Sequence, residues 1–271
     1  MSAAASAGVT TSVRELARLR HQGRGFSFLP RQPIHSLLSG RHASRLRGRG
    51  LNFEEVRVYQ PGDDIRSIDW KVTARTRTPH TRVFTEERDR PALTVVDQRR
   101  SMFFGSRVAM KSVVAAEAAA LAAWRALGVG DRPGTVVFDD ASMSEIRPHR
   151  SEKRVLEILH QLERFNRRLA EGPPGPSDPG QLNRVLERVA RLAGHDALVV
   201  LVSDLDGADD DTRRWLTRLA RHNDVLVAFV FDRLEAEMPA AGELVVGDGE
   251  LQIDFDSRDP DLRARYAAAF G

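Results

Sequence analysis

The chain has 271 residues, 41% apolar and 29% charged, enough to bury a core as one large domain or two small ones. The absence of cysteine excludes disulfides, thiolate metal sites and cysteine nucleophiles, and it fits a reducing compartment. The net charge is only +3, but nine arginines face a single acid, Glu15, between Arg14 and Arg49.

Residues 1–50 therefore read as a basic, partly flexible arm. Such an arm suits nucleic acid, anionic lipid or an acidic protein face, and equally a solvated segment resting on the acids that follow it. It carries no recognised nucleic-acid motif, so the solvated arm is the favoured reading. Residues 1–11 are small and polar and lack the apolar centre of a signal peptide. No apolar run reaches the ~18 residues of a membrane span, since the longest, residues 113–124, is interrupted by Glu117. A cytoplasmic protein is expected.

Residues 51–90 are extended and of mixed polarity, with a turn at Thr78-Pro79 joining residues 68–74 to residues 81–85, and read as a small β subdomain. From residue 91 to 271, buried strands alternate with helices, the pattern of a Rossmann-like α/β domain with a mainly parallel sheet. Residues 92–97 form the first strand. The helix over residues 107–127 is alanine-rich, and the segment 101–105 before it is read as a helix start whose amides suit an anion. Residues 134–138 form the second strand, followed by a turn at Asp139-Asp140 and an antiparallel edge over residues 142–147. Ser151 caps a helix to residue 165, and the Pro/Gly-rich residues 172–180 form a loop. Residues 181–193 return to helix and residues 197–203 are a buried strand. A helix over 212–222, a further buried strand over 225–231, a hairpin over 243–253 and a helix from Pro260 complete the order.

Ligands of open parallel sheets bind outside the carboxyl ends of the strands. Acids dominate there: Asp97, Asp139, Asp140, Asp204, Asp206 and Asp232. Asp97 and Ser101, a hydroxyl from a second loop and an acid after a later strand would form an oxygen cage for Mg²⁺. Alternatively, the acids cap helices and turns. Asp63, Asp64 and Asp69 with Glu86 and Glu87 are a second acidic group, which could in principle hold two metals for phosphodiester hydrolysis as paired carboxylates do in nucleases. Arg66, Arg88 and Arg90 lie beside them, so the simpler account is structural ion pairing that docks the β subdomain, with Trp70 as an apolar anchor. The histidines do not cluster, and there is no nucleophile elbow, Walker pattern or dinucleotide fingerprint.

Residues 48–106 contain, in order, Arg49-Gly50, Gln60-Pro61-Gly62-Asp63-Asp64-Ile65-Arg66, Ile68-Asp69-Trp70 and Glu86-Glu87-Arg88. This stretch closely resembles the DUF58 family, with the weaker α/β pattern extending the resemblance over about residues 37–270. The resemblance implies a von Willebrand factor A-type domain, a link to MoxR-type AAA+ ATPases, and no enzymatic activity. It further implies that sheet elements continue past the helix at Pro260. In the A-domain pattern the first metal loop reads Asp-x-Ser-x-Ser. Asp97 and Ser101 match its ends, Ser177 stands for the second-loop hydroxyl and Asp204 for the third-loop acid.

Arg99 departs from that pattern. A guanidinium about 4 Å from a divalent ion would be repelled by roughly 8 kcal/mol at an effective dielectric of 20. Either Arg99 turns to solvent and leaves a weakened Mg²⁺ site, or it folds inward onto Asp97 or Asp204 and replaces the metal. The second is favoured, because buried acids require a counter-charge. The expectation is a non-enzymatic adaptor for a MoxR-type ATPase or a protein client. Its alternatives are a metal-dependent phosphoesterase and nucleic-acid binding by the arm.

Overall fold

A computed structural model describes residues 8–24, 51–60, 65–86, 89–172, 176–247 and 252–270. The chain divides into two compact units, Ser27–Asp89 and the combination of Met1–Phe26 with Arg90–Gly271.

Part of the stretch read as a basic arm is built into the larger unit. Helix α1 (Val13–Arg18) opens with a capping box: the Glu15 N–H donates to the Ser12 hydroxyl, and the Glu15 carboxylate accepts the Ser12 N–H. A short 3-10 helix, Leu19–Arg24, continues it. Leu16 is fully buried, its carbonyl accepts the Trp124 indole N–H at 3.3 Å, and Arg20 lies over the Trp124 ring while pairing with Glu152. The arginine count concealed this, because an amphipathic turn needs only one well-placed leucine to dock.

The smaller unit pairs β1 (Leu51–Val58) with β2 (His80–Glu86) in an antiparallel ladder that bulges between Phe53 and Glu55. Between them lies helix α2 (Trp70–Thr76), not the strand expected over residues 68–74. The β-branched residues there suggested extension. Asp69 decides otherwise, because its carboxylate accepts the N–H groups of Lys71 and Val72 at 3.0 and 3.1 Å and so caps the helix. Trp70, in the first turn, is 69% exposed, and Arg66 lies in a 3-10 turn, Ile65–Ser67. Asp63, Asp64, Glu87 and Arg88 lie outside the described residues, as does the side chain of Glu86.

The larger unit is built on a five-stranded sheet. Strands β3 (Pro91–Asp97), β4 (Arg132–Phe138), β5 (Met143–Ile146), β6 (Leu198–Ser203) and β7 (Asp224–Phe229) lie in the order β5-β4-β3-β6-β7. All pairs are parallel except β4 with β5. This is a Rossmann-like winding, with the chain reversing its direction of travel between β3 and β6. The β-branched runs of β3, β4 and β6 are buried on both faces, as central parallel strands require.

On one face, Leu93, Val95, Val136, Phe138, Val199 and Leu201 pack against α5 (Gln181–Leu192) and α6 (Asp210–Ala220). The other face is covered by α3 (Lys111–Gly128) and α4 (Glu152–Glu171), with α1 against both helices. The buried alanines of α3, among them Ala116, Ala119 and Ala123, let that helix lie close on the strands. Ser151 caps α4 as expected, its hydroxyl accepting the Arg154 N–H.

Several boundaries and one burial differ from the sequence reading, and α4 runs on to Glu171, six residues past the expected end. The segment after β3 is a 3-10 turn, Arg100–Met102, and an irregular loop, so α3 starts at Lys111. Helix α6 starts at Asp210 because the Asp209–Thr212 capping box sets it there. Strand β7 is half exposed, with Val227 at 44%. It pairs with β6 alone among the described residues, and an apolar run cannot signal by itself which side of it is covered. After β7 come α7 (Arg233–Ala236), the hairpin β8 (Glu243–Gly247) with β9 (Gln252–Asp256), and α8 (Pro260–Phe270).

Replacing Leu16 with alanine is expected to destabilise the protein by about 3 kcal/mol, since it empties a fully buried site. A solvated arm would give no change in the urea midpoint.

Candidate functional site

The reversal between β3 and β6 opens at the carboxyl ends of those strands, where Asp97 and Ser203-Asp204 end them. Asp97 is 0% and Arg99 1% exposed. Arg99 is turned inward. Its Nε lies 3.0 and 3.1 Å from the two Asp97 oxygens, its Nη2 2.8 Å from Oδ2, and its backbone N–H also donates to Oδ1. The remaining reach of the guanidinium is used as well: Nη1 donates to the Asp206 carbonyl at 3.1 Å, and Nη2 stands 3.8 Å from Asp204. The Phe138 ring lies beside it, 5.7 Å from the guanidinium carbon.

A second cation enters from α3. The Lys111 ammonium is 4% exposed, donates to Asp204 Oδ2 at 2.9 Å, and also pairs with Glu235 of α7. Burial pulls the Lys111 ammonium down, but hydrogen bonding to Glu235 and the charge of Asp204 outweigh it and raise it above the usual lysine value. Burial likewise works against Arg99, and Asp97, Asp204 and Asp206 more than offset it, so Arg99 stays charged. Burial pushes the Asp97 carboxyl up, with Arg99 and the Ser203 hydroxyl opposing the shift.

The third partner of Asp97 is the Ser203 hydroxyl, which donates to Oδ2 at 2.6 Å and accepts the Leu205 N–H. Ser177, expected as the second-loop hydroxyl of the A-domain metal pattern, is exposed on its loop, whose neighbouring residue Asp178 gives its N–H to Asp140. Asp140 also accepts the Arg100 N–H, so it ties two loops together. Asp139 accepts the N–H groups of Ala141 and Ser142 and pairs with Arg168. The Ser101 hydroxyl is buried with no hydrogen-bond partner among the described residues.

These groups do not fit a divalent cation. Both Asp97 oxygens and both Asp204 oxygens accept hydrogen bonds or face a cation, with Arg99 between the two carboxylates and Lys111 on Asp204. Among the described residues, no three acidic or histidine side chains are grouped to hold a metal ion.

Gln98, between Asp97 and Arg99, points the other way, as alternation along an extended chain requires. Its amide donates to the Ser112 carbonyl at 2.8 Å and accepts from Asn166, whose own oxygen accepts the Thr11 N–H. Thr11, Gln98, Ser112 and Asn166 are all buried, so the site loop is tied through one polar chain to α3, α4 and the N-terminal segment. Sequence reasoning missed Lys111, Ser203, Glu235 and this chain. Only Ser203 left a signal, as the hydroxyl next to Asp204.

Asp232, after β7, holds the loop before α3: it accepts the Ser106 N–H at 2.8 Å and the Ser106 hydroxyl at 2.6 Å. Burial is the largest single influence and raises its carboxyl, but those bonds, the Leu234 N–H and Lys111 together outweigh it and hold the group below the ordinary aspartate range.

The profile of the family described as "Protein of unknown function DUF58" matches residues 55–270. Uncharacterized proteins from Mycobacterium tuberculosis and Mycobacterium bovis are 33% identical to this chain over 240 residues, 88% of it and 74% of their own length. Among solved structures, an aerotolerance-related membrane protein from Bacteroides fragilis aligns with a TM-score of 0.41 and 13% identity, covering 67% of this chain and 88% of that one. BatB from Bacteroides thetaiotaomicron aligns with a TM-score of 0.41, 11% identity and 67% and 86% coverage. The SpRpn10 VWA domain aligns with a TM-score of 0.29 and 11% identity, over 52% of this chain and 89% of that domain. No helix among the described residues is long and apolar enough to cross a membrane.

Two outcomes are expected. Arg99→Ala leaves the buried Asp97 carboxylate without its counter-charge and should cost about 3–5 kcal/mol in urea unfolding, with Asp97→Asn in the same chain restoring part of the loss. The Asp232 tether is intact above the ordinary carboxylate range and is lost as pH falls through its depressed value. In an acid titration followed by NMR, the Ser106 amide should therefore move with a midpoint below that of an unperturbed aspartate.

Proposed function

The chain belongs to the DUF58 family, and we propose that it is a non-enzymatic, cytoplasmic protein-binding adaptor that works with a MoxR-type AAA+ ATPase in the assembly or maturation of a client complex. The proposed adhesion site is a degenerate form of the A-domain metal site, formed by Asp97, Arg99, Ser101 and Asp204, with Ser177 on the adjoining loop. The observation that carries this reading is the buried Arg99 guanidinium seated on Asp97, which supplies from the chain the positive charge that a metal ion would bring.

This exchange has a consequence for partner binding. A metal with an open coordination position accepts a carboxylate from the partner, whereas a guanidinium whose donors are already engaged does not. On this reading the site fixes the shape of the surrounding loops, and those loops carry the contact. In the smaller unit, Asp69 has a structural role as a helix cap.

Calorimetry with Mg²⁺ and Mn²⁺ is expected to show no micromolar binding, and micromolar affinity would overturn the metal-free site. Size-exclusion chromatography with a MoxR-type ATPase, with and without ATP, is expected to show a complex. Absence of a complex under both conditions would remove the adaptor pairing.

A further inference from the structure

The loop between the Arg100–Met102 turn and α3 is fixed to an extent that its sequence does not suggest. The Lys111 N–H donates to the Phe104 carbonyl at 2.7 Å and closes the loop at its base. The Met110 N–H donates to the Gly8 carbonyl at 2.7 Å, and Ser106 is held through both its N–H and its hydroxyl by Asp232.

Two glycines permit the packing. A Cβ on Gly105 would stand 2.3 Å from the Ala109 carbonyl oxygen, and a Cβ on Gly8 would stand 2.3 Å from that of Val108. Gly8 also has φ +85°, in the left-handed region that favours glycine. The backbone of residues 104–110 is thus clamped from the N-terminal segment on one side and from the end of β7 on the other.

What this rigid loop presents is apolar. Val108 is 89% and Phe104 40% exposed. Arg107, between them and exposed, makes no ion pair among the described residues. An exposed valine adds nothing to the core, and a loop pinned at both ends loses little conformational freedom when it is bound. Phenylalanine and arginine, which flank the aliphatic tip, are both enriched at contacts between proteins. A single arginine gives neither the phosphate contacts of a nucleic-acid groove nor the basic cluster that a lipid surface requires.

We propose that residues 104–108 form a preorganised docking knob for a partner protein with an apolar socket and an acidic rim. Val108 and the exposed edge of Phe104 enter the socket, and Arg107 meets the acids. The knob deepens the adaptor reading and rests on it only in taking the bound molecule to be a protein.

The test measures affinity for a purified MoxR-type ATPase by biolayer interferometry, using wild type, V108A, V108D, F104A, R107E and V245D. Val245 is 60% exposed on β8 and serves as the control for an apolar-to-acid change elsewhere. Circular dichroism and thermal unfolding should be unchanged for V108D, because the side chain is already in solvent. Losses of about 10-fold for V108A and at least ~30-fold for V108D are expected, with R107E slowing association and V245D binding as wild type does. If wild type binds and V108D and F104A bind equally well, the knob is wrong and the adaptor reading stands.

If wild type does not bind the ATPase, the adaptor pairing falls. The knob is then decided by a photo-crosslinking residue placed at 108 or 245 in cells. Adducts at 108 alone, mapped to an apolar pocket flanked by Asp or Glu, support the knob. The same adducts at both positions, or none at 108, overturn it.

Discussion

The architecture of the site turns on one buried ion pair. Asp97 is set at the end of the central strand by the sheet, and a carboxylate with no solvent access must be protonated, bound to a metal or paired with a cation. Arg99, two residues on, supplies the cation from the same loop, with nearly all of its donors engaged by Asp97, Asp206 and Asp204. The pair is therefore less a source of net stability than a constraint: once it forms, the path of the chain from β3 into the next turn is fixed, because the guanidinium can satisfy these acceptors in only one pose.

The rest of the strand-end surface is organised around that constraint. Lys111 neutralises the face of Asp204 that Arg99 does not reach, and in doing so it sets the first turn of α3 beside β6. Glu235 adds a third acid from beyond β7, and Asp140 joins the turn after β3 to the loop before α5. Where a metal ion would gather these loops around one centre, here two cations and a set of backbone N–H groups distribute the same task. Such a site has fixed geometry without an open coordination position.

The N-terminal segment belongs to this framework. It is bound to the site loop through Gln98 and Asn166, to the loop before α3 through Gly8, and to the core through Leu16. Each link is buried or made by backbone, so the segment is a structural part of the face that presents Val108. Its arginines, which dominate the composition there, are incidental to that role, apart from Arg20 at Trp124 and Glu152.

Much of this was legible in the sequence. The β-branched runs of β3, β4 and β6 announced buried parallel strands, Ser151 announced α4, and the acids following the strands marked the carboxyl end of the sheet. Arg99 stood out because it breaks an oxygen-donor pattern at its centre. All of these are local signals, carried by residue type over a few positions. The identity of the hydroxyl on Asp97 was not local: Ser203 is 106 residues away, and only the parallel register that sets Val96 against Val202 brings it within 2.6 Å. The same holds for Lys111, 93 residues from Asp204, and for the half-exposed face of β7. Sequence determined which groups need partners. The tertiary structure decided which partners they have, because in a wound sheet the neighbours at a strand end are set by strand order and not by distance along the chain.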